Sequence, residues 1–346
     1  MDGATARLSD IAAQAGVGEA TVSRVFNGKA GVSATTRQAV GAAVDLLGYE
    51  RPPRLRQRSA GSIGLITPEL GNPIFPAPAQ VVEQVLTGAG YTPLLCTRTP
   101  GGSTGDQLTE VPVERGVAGI VFVSGLHADS TADTGRSTRL AGRGIPFVMI
   151  NGCTEEVAAP FMSTDDRAAL RLAVSHLVEP GHERIGLAVG PRRFTPVLCR
   201  TEGFVRAVRT ILHRTAEEAE ALVQHSLFTV EGGQSAASAL LDQGCTAVVC
   251  GSDLMAFGAI RAARRRGLSV PRDVSVVGFD DSPLIVFADP PLTTPRRSVE
   301  AMGRAAVHAL PEGIGGTRGG SPPSTHAEFV FLPELVVRGS TGAGPR

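Results

Sequence analysis

The chain has 346 residues, of which 42% are hydrophobic, and a formal net charge of zero. Its length exceeds that of one small domain and predicts two or three domains with a sizeable core. No run of about 18 apolar residues occurs, and the N-terminus is a mixed polar segment, so we expect a cytosolic protein rather than a membrane or exported one.

The segment at residues 7–28 predicts a helix-turn-helix. Ser9 is expected to cap a first helix whose apolar residues share one face, and Gly16 begins the turn. A second helix is predicted from Glu19 to Phe26, and its apolar residues would pack on the first helix. The remaining face then presents hydroxyls and an arginine, as a DNA-reading helix does.

Side-chain chemistry separates base reading from phosphate contact in this segment. A guanidinium group suits the O6 and N7 atoms of guanine, whereas hydroxyl and amide groups suit phosphates. The residues expected to read bases are Glu19, Ala20 and Arg24. The residues expected to contact phosphates are Ser9, Thr21, Ser23 and Asn27.

A third helix is predicted from Thr35 to Leu47, and it completes a DNA-binding domain over residues 1–50. Residues 51–61 are rich in Pro and Arg and indicate a hinge or linker. The first 60 residues hold eight Arg or Lys and five Asp or Glu, a net +3. The basic linker suits phosphate contact, and the alternative is a solvated linker.

From Ser62 onward, short β-branched runs alternate with helical patterns. This alternation predicts an α/β fold with parallel sheets flanked by helices. The predicted strands are SIGLIT, GIVFVSG, PFVMIN, RIGLAVGP, AVVCGS and VSVVGFDD. The predicted helices are residues 76–89, 165–178, 201–213, 233–242 and 254–266. The carboxyl ends of such strands form a ligand crevice.

The sequence contains no signature of catalysis or metal binding. It lacks a phosphate-binding loop, a nucleophile elbow and a dinucleotide fingerprint. The five cysteines are scattered, without histidines at ligand spacing, and are expected to be reduced thiols. We therefore expect no enzyme activity, no cofactor and no metal.

Residues 7–28, RLSDIAAQAGVGEATVSRVFNG, resemble the opening pattern of the lactose-repressor (LacI/GalR) family of bacterial transcription regulators. Gly18 departs from that pattern, because serine is usual there. Motifs along the rest of the chain match the same family in order. They are GNPIF at 71–75, GH at 181–182, RTEGF at 200–204, SDLMA at 252–256, GFDD at 278–281 and PPLTT at 290–294.

This resemblance implies two α/β lobes of the periplasmic-binding-protein type with a small-molecule effector, a sugar, in the cleft between them. The first lobe would comprise residues 62–162 and 292–325, and the second residues 163–291 and 326–346. The two lobes form one effector-binding and dimerisation domain, residues 62–346. A homodimer would place two heads on a near-palindromic operator in double-stranded DNA.

Sugar hydroxyls are bound by carboxylate and guanidinium groups, and an aromatic ring suits the apolar sugar face. Carried over by motif, the residues expected to bind the effector are Phe75, Asp166, Arg200, Phe228, Asp253 and Asp280. The alternative for Asp166 and Asp253 is that they satisfy free N–H groups at helix starts. The alternative for Phe75 and Phe228 is ordinary core packing.

In the resembled family the linker folds into a short hinge helix and inserts a leucine into the minor groove, a role that would fall on Leu55. The linker here is shorter than the family pattern and contains Pro52–Pro53. Proline fits only the first turn of a helix, so a hinge helix would have to be very short or would not form.

The first hypothesis is thus a ligand-controlled transcription regulator, expected to be a repressor of genes for carbohydrate use. The alternative is a solute-binding protein that delivers a sugar to a transporter. That alternative needs an export signal and leaves residues 1–60 unexplained. Whether the effector induces or corepresses stays open.

Overall fold

The computed structural model describes residues 6–26, 29, 31–49, 60–97, 105–124, 126–132, 134–314 and 326–344. The chain divides into a head within the first 60 residues and a core that begins at Gly61. Asn27, Leu55 and the linker arginines fall outside the described residues, so their expected DNA contacts remain predictions. Among the described residues, no helix is long and apolar enough to cross a membrane.

The head contains the helices that the sequence predicts. They are α1 (Leu8–Ala15), α2 (Glu19–Phe26) and α3 (Ala34–Leu47). Ile11, Val22 and Val40 are fully buried and pack together at the centre of the head. Gly16 ends α1 with a φ of 65°, a left-handed conformation that favours glycine.

The predicted cap of α1 is wrong. The helix begins at Leu8, so Ser9 lies exposed within its first turn and does not precede it. The backbone N–H of Arg7 instead donates to the carboxylate of Asp10 at 2.7 Å. Asp10 suits this position because a negative charge is favourable near a helix N-terminus.

The core contains two parallel sheets. The first has six strands in the order β11-β5-β4-β3-β1-β2. Their bounds are Ser62–Thr67 (β1), Thr92–Thr97 (β2), Gly119–Val123 (β3), Phe147–Ile150 (β4), Pro160–Thr164 (β5) and Ala327–Phe331 (β11). β3 and β4 are buried along their whole length, as strands covered on both faces should be.

The second sheet has four parallel strands in the order β7-β6-β8-β9. Their bounds are Ile185–Val189 (β6), Val223–His225 (β7), Ala247–Cys250 (β8) and Ser275–Val277 (β9). A separate antiparallel pair joins β10 (Thr294–Arg296) to β12 (Glu334–Val336). The expected α/β fold with parallel sheets is therefore confirmed.

Helices cover both sheets. The first sheet packs against α4 (Pro76–Gly88), α5 (Gly105–Glu114), α6 (Gly135–Gly142) and α12 (Val299–Ile314). The second packs against α7 (Asp166–Val178), α8 (Thr195–Ile211), α9 (Ala216–Ala221), α10 (Val230–Asp242) and α11 (Asp253–Arg265). Short 3-10 helices occur at Leu126–Ala128 and Ile285–Phe287. We call the first sheet with its helices the first lobe, and the second sheet with its helices the second lobe.

The structure moves one expected boundary between the lobes. We expected residues 326–346 to return to the second lobe, but β11 pairs with β5 from Ala327 opposite Pro160 to Phe331 opposite Thr164. Without β11, the edge of β5 would leave its backbone groups unpaired. The chain therefore completes the first sheet before β12 pairs with β10.

Candidate functional site

A cavity of about 400 Å³ lies between the two lobes. Its walls come from the loops that follow β1, β3 and β4 in the first lobe and β6, β7 and β8 in the second. The carboxyl ends of parallel strands are where open α/β sheets bind ligands. The volume falls within the range of small-molecule sites.

Three of the residues expected to bind an effector line this cavity: Phe75, Arg200 and Phe228. Phe228 also packs so closely on Gly190 that a Cβ built there would meet its ring at 2.2 Å. Its ring centre lies 6.3 Å from that of Phe194, another wall residue. Phe228 therefore packs within the second lobe and also lines the cavity, and its contact with a ligand remains a prediction.

Arg200 is held rigidly although it reaches the cavity. Its Nε donates to Oδ1 of Asp166 at 3.0 Å, and its Nη1 donates to the carbonyl of Gly251 at 2.6 Å. The guanidinium carbon lies 3.7 Å from the ring centre of Phe279. Only 3% of the residue is exposed. A buried guanidinium that is paired on one edge can present its other edge to a ligand.

Asp166 and Asp253 do not line the cavity, and neither caps its helix. Asp165 caps α7 by accepting from the N–H of Ala168 at 2.9 Å, and Asp166 is free to pair with Arg200. Ser252 caps α11 by accepting from the N–H of Met255 at 3.2 Å. In both cases the preceding residue caps the helix, which leaves the aspartate available for another contact.

Asp253 accepts four hydrogen bonds from its own chain. Its Oδ1 accepts from the N–H of Phe279 at 2.9 Å and from the hydroxyl of Thr294 at 3.0 Å. Its Oδ2 accepts from the N–H and the hydroxyl of Ser282 at 2.8 and 2.6 Å. Burial raises the pKa of Asp253, and these donors oppose that shift. The structure thus engages both carboxylate oxygens with protein donors.

Asp280 also lies outside the cavity wall, and it faces a separate open depression of about 650 Å³. Its Oδ1 is 3.0 Å from Nε of Arg297, and each side chain is only 4% exposed. The pair lacks hydrogen-bond geometry, because both atoms are without a hydrogen-bond partner among the described residues. Burial outweighs the attraction of Arg297 and raises the pKa of Asp280 to about 7.

Sequence reasoning missed the polar wall of the first lobe. Thr67 is fully buried, and its Oγ1 has no hydrogen-bond partner among the described residues. The Asn151 amide donates to the hydroxyl of Ser124 at 2.9 Å, and both residues have positive φ values, 66° and 63°. All three lie at or beside the end of a predicted strand, so their positions were the signal that could have identified them.

The cavity combines ring faces with polar groups that can donate and accept. Phe75, Phe122, Phe194 and Phe228 supply aromatic surface. Thr67, Ser124, Asn151 and Arg200 supply hydroxyl, amide and guanidinium groups. This combination suits a small ligand that carries several hydroxyl groups and an apolar face. No group of three or more potential metal ligands occurs among the described residues.

The head presents the polar face that the sequence predicts. Glu19, Ala20, Ser23 and Arg24 are exposed on α2, and Thr21 is partly exposed. Val22 on the opposite face is fully buried against α1 and α3. The exposed face of α2 therefore carries the side chains that the sequence assigns to DNA contact.

Comparison with known proteins covers both parts of the chain. Residues 7–52 match the family described as bacterial regulatory proteins, lacI family, and residues 174–341 match a periplasmic binding protein-like domain. The HTH-type transcriptional regulator MalR of Streptomyces coelicolor is 68% identical over 342 residues, which cover 99% of this chain and 98% of the relative.

Solved structures agree with this relationship. The complex of the transcriptional regulator CelR with cellobiose has a TM-score of 0.70 and 30% identity, over 97% of this chain and 99% of that one. The lac repressor dimer bound to operator and the anti-inducer ONPF has a TM-score of 0.68 and 25% identity, over 98% of this chain and 100% of that one. The full-length relatives are transcriptional regulators rather than enzymes.

The buried Asp280 predicts a pH-dependent component of stability. Its pKa is about 7 in the folded chain and about 4 for an unperturbed aspartate. Between these values the folded state holds a proton that the unfolded state has lost, so stability falls as pH rises through this window. We expect Asp280→Asn to lack this fall when the free energy of unfolding is measured by denaturant titration from about pH 4 to about pH 8.

The control is Asp273→Asn. Arg272 lowers the pKa of the exposed Asp273, so titration of that carboxylate affects stability only below about pH 4, and Asp273→Asn should keep the wild-type fall between about pH 4 and about pH 8. Parallel pH profiles for wild type and Asp280→Asn would show that Asp280 does not carry the proton.

Proposed function

The chain belongs to the LacI family of bacterial regulatory proteins, and from this premise we propose that it is a repressor whose operator affinity is set by a sugar in the cavity between its lobes. One observation carries the proposal. The same chain joins a head with an exposed polar face on α2 to a core that encloses an aromatic and polar cavity.

The head would read a short DNA half-site. Arg24 at an exposed position of α2 suits guanine O6 and N7, and Glu19 and Ala20 lie at the start of the same helix. Ser9, Thr21 and Ser23 would contact phosphates, because hydroxyl groups position a protein on the DNA backbone without reading sequence. Because this function acts on DNA, we place the protein in the cytosol.

The effector we propose is a sugar. Paired hydroxyls would bind the free edge of Arg200 together with the polar wall of Thr67 and Asn151, and a ring face would lie on Phe75 or Phe228. A relative with 30% identity over nearly the whole chain was solved with cellobiose, which supports a carbohydrate of this kind.

A homodimer would place two heads on a near-palindromic operator. The second lobe exposes apolar side chains on and beside the 3-10 helix Ile285–Phe287: Leu284 is 69%, Val286 41% and Phe287 82% exposed. Three large apolar residues exposed on and beside one short helix favour a surface for association. The related lac repressor structure is a dimer on its operator, which supports a second copy of this chain as the partner.

The alternative of a sugar receptor without gene regulation is not favoured. Such a protein would use only the cavity, and it would give the polar face of α2 no role. Binding of a sugar alone does not separate the two hypotheses, whereas sequence-specific binding of DNA does.

Selection of bound duplexes from a random DNA pool tests the regulatory role. We expect the full chain to enrich a near-palindromic motif. Arg24→Ala should relax the motif at one base pair of each half-site and cost about 1–3 kcal/mol per half-site. Gln38→Ala is the control, because Gln38 is exposed on α3 and no base contact is assigned to it. Failure to enrich any motif, or the same motif and affinity for Arg24→Ala, would contradict the assignment.

Sedimentation equilibrium tests the dimer. We expect Phe287→Asp to weaken dimerisation by about tenfold or more, because an exposed aromatic anchor would be replaced by a buried charge in the dimer. Leu332→Asp is the matched control, since Leu332 is also 72% exposed but lies beyond β11, in a different part of the core. Equal weakening by both variants, or none by Phe287→Asp, would place the interface elsewhere.

A further inference from the structure

Contacts between the lobes also occur beside the cavity, apart from the segments where the chain crosses from one lobe to the other. Asp129 and Ser130 follow the 3-10 helix Leu126–Ala128 of the first lobe, and Arg193 lies in the loop between β6 and α8 of the second. Oδ2 of Asp129 is 3.0 Å from Nε of Arg193. The backbone N–H and the hydroxyl of Ser130 donate to the carbonyl of Arg193 at 2.7 and 2.8 Å.

The backbones of the two lobes also meet here. Asp129 and Phe194 form an isolated antiparallel β-bridge, and the Arg193 guanidinium carbon lies 4.8 Å from the Phe194 ring centre. Asp129, Arg193 and Phe194 all belong to the cavity wall. The contact between the lobes and the wall of the cavity are therefore built from the same residues.

We propose that Asp129, Ser130 and Arg193 form a latch that holds the lobes closed over the cavity, and that opening this latch admits and releases the ligand. This inference rests on the proposed role of the cavity as the effector site. A ligand that fills such a cavity has most of its surface buried. The latch joins the lobes across one part of the cavity wall, so its opening would widen the passage between the lobes for such a ligand.

The contacts of the latch are weak enough for the lobes to open and close. The Arg193 side chain is 51% exposed and that of Asp129 is 19% exposed, so solvent screens the ion pair and it contributes little by itself. The Ser130 hydrogen bonds add to it without burying a charge. A closed state held by these few contacts can exchange with an open one, and ligand affinity then scales with the closed fraction.

Arg193 and Asp129 are thus positioning residues for the ligand site. Their charges act on the balance between closed and open lobes, whereas Arg200 is fixed within the second lobe by Asp166 and Gly251.

Amide hydrogen exchange of the full-length, ligand-free protein tests the latch directly. The N–H of Ser130 exchanges only when the lobes separate locally, because its acceptor is on the other lobe. We expect Arg193→Gln and Asp129→Asn each to speed exchange of the Ser130 N–H by about two- to fivefold, as loss of an exposed ion pair allows. Arg192→Gln is the control, because the neighbouring Arg192 is exposed and lies outside the cavity wall.

The double replacement Asp129→Arg with Arg193→Asp restores an ion pair of reversed polarity and should return exchange toward the wild-type rate. Unchanged exchange at Ser130 in both single variants, relative to Arg192→Gln, would overturn the latch. Equally faster exchange at Ser130 in Arg193→Gln, Asp129→Asn and Arg192→Gln would also overturn the latch, because a general loosening of the loop would then be the cause.

A binding measurement separates this inference from the proposed function. With cellobiose as the probe in stopped-flow and calorimetric titrations, latch variants should weaken binding about two- to fivefold through faster dissociation. Asp129→Asn and Arg193→Gln combined should weaken it no more than either alone, because both open the same latch. Additive losses would indicate separate ligand contacts and contradict the latch. If cellobiose does not bind but the variants still speed exchange at Ser130, cellobiose is not the effector, and the latch is supported.

Discussion

The buried guanidinium of Arg200 is the constraint around which the strand ends of the second lobe are arranged. A charge with so little exposure must be paired, and an unpaired one would cost several kcal/mol, about 3–5 kcal/mol in measured cases. The start of α7 supplies Asp166, the end of β8 supplies the Gly251 carbonyl, and the segment after β9 supplies the Phe279 ring. Three segments that are distant in sequence are thereby fixed around one side chain of α8 that reaches the cavity.

The same region connects to the segments where the chain crosses between the lobes. Asp253 binds Ser282 and Thr294, and Asp281 pairs with Arg338 at 2.6 Å, while Arg338 also donates to the carbonyl of Leu292 at 2.7 Å. Asp253, the first residue of α11, therefore ties the segment after β9 to β10. A ligand that prefers the closed lobes would shift the population of these arrangements, and it can change DNA affinity only by that difference in binding free energy.

The sequence was sufficient where local periodicity decides structure. The bounds of α2 and the positions of the six predicted strands follow from apolar spacing, and Gly16 ends α1 where a turn is expected. It was insufficient where two neighbouring residues could each cap a helix. Asp165 and Asp166 are both good caps, as are Ser252 and Asp253. Only the packing of Arg200 decides that Asp166 is left for another partner. Only the packing of the segment after β9 decides the same for Asp253. Thr67 ends a predicted strand, but its hydroxyl, which has no hydrogen-bond partner among the described residues, becomes a candidate ligand contact only once the opposite lobe faces it.

Operator affinity as a function of sugar tests whether the cavity and the head are coupled. Fluorescence anisotropy of a labelled operator duplex, titrated with the full chain at fixed salt, would be repeated with each member of a sugar panel that includes cellobiose. We expect a sugar that stabilises the protein against heat also to change the operator Kd by about fivefold or more. A sugar that binds tightly but leaves the operator Kd unchanged would contradict the coupling of cavity and head.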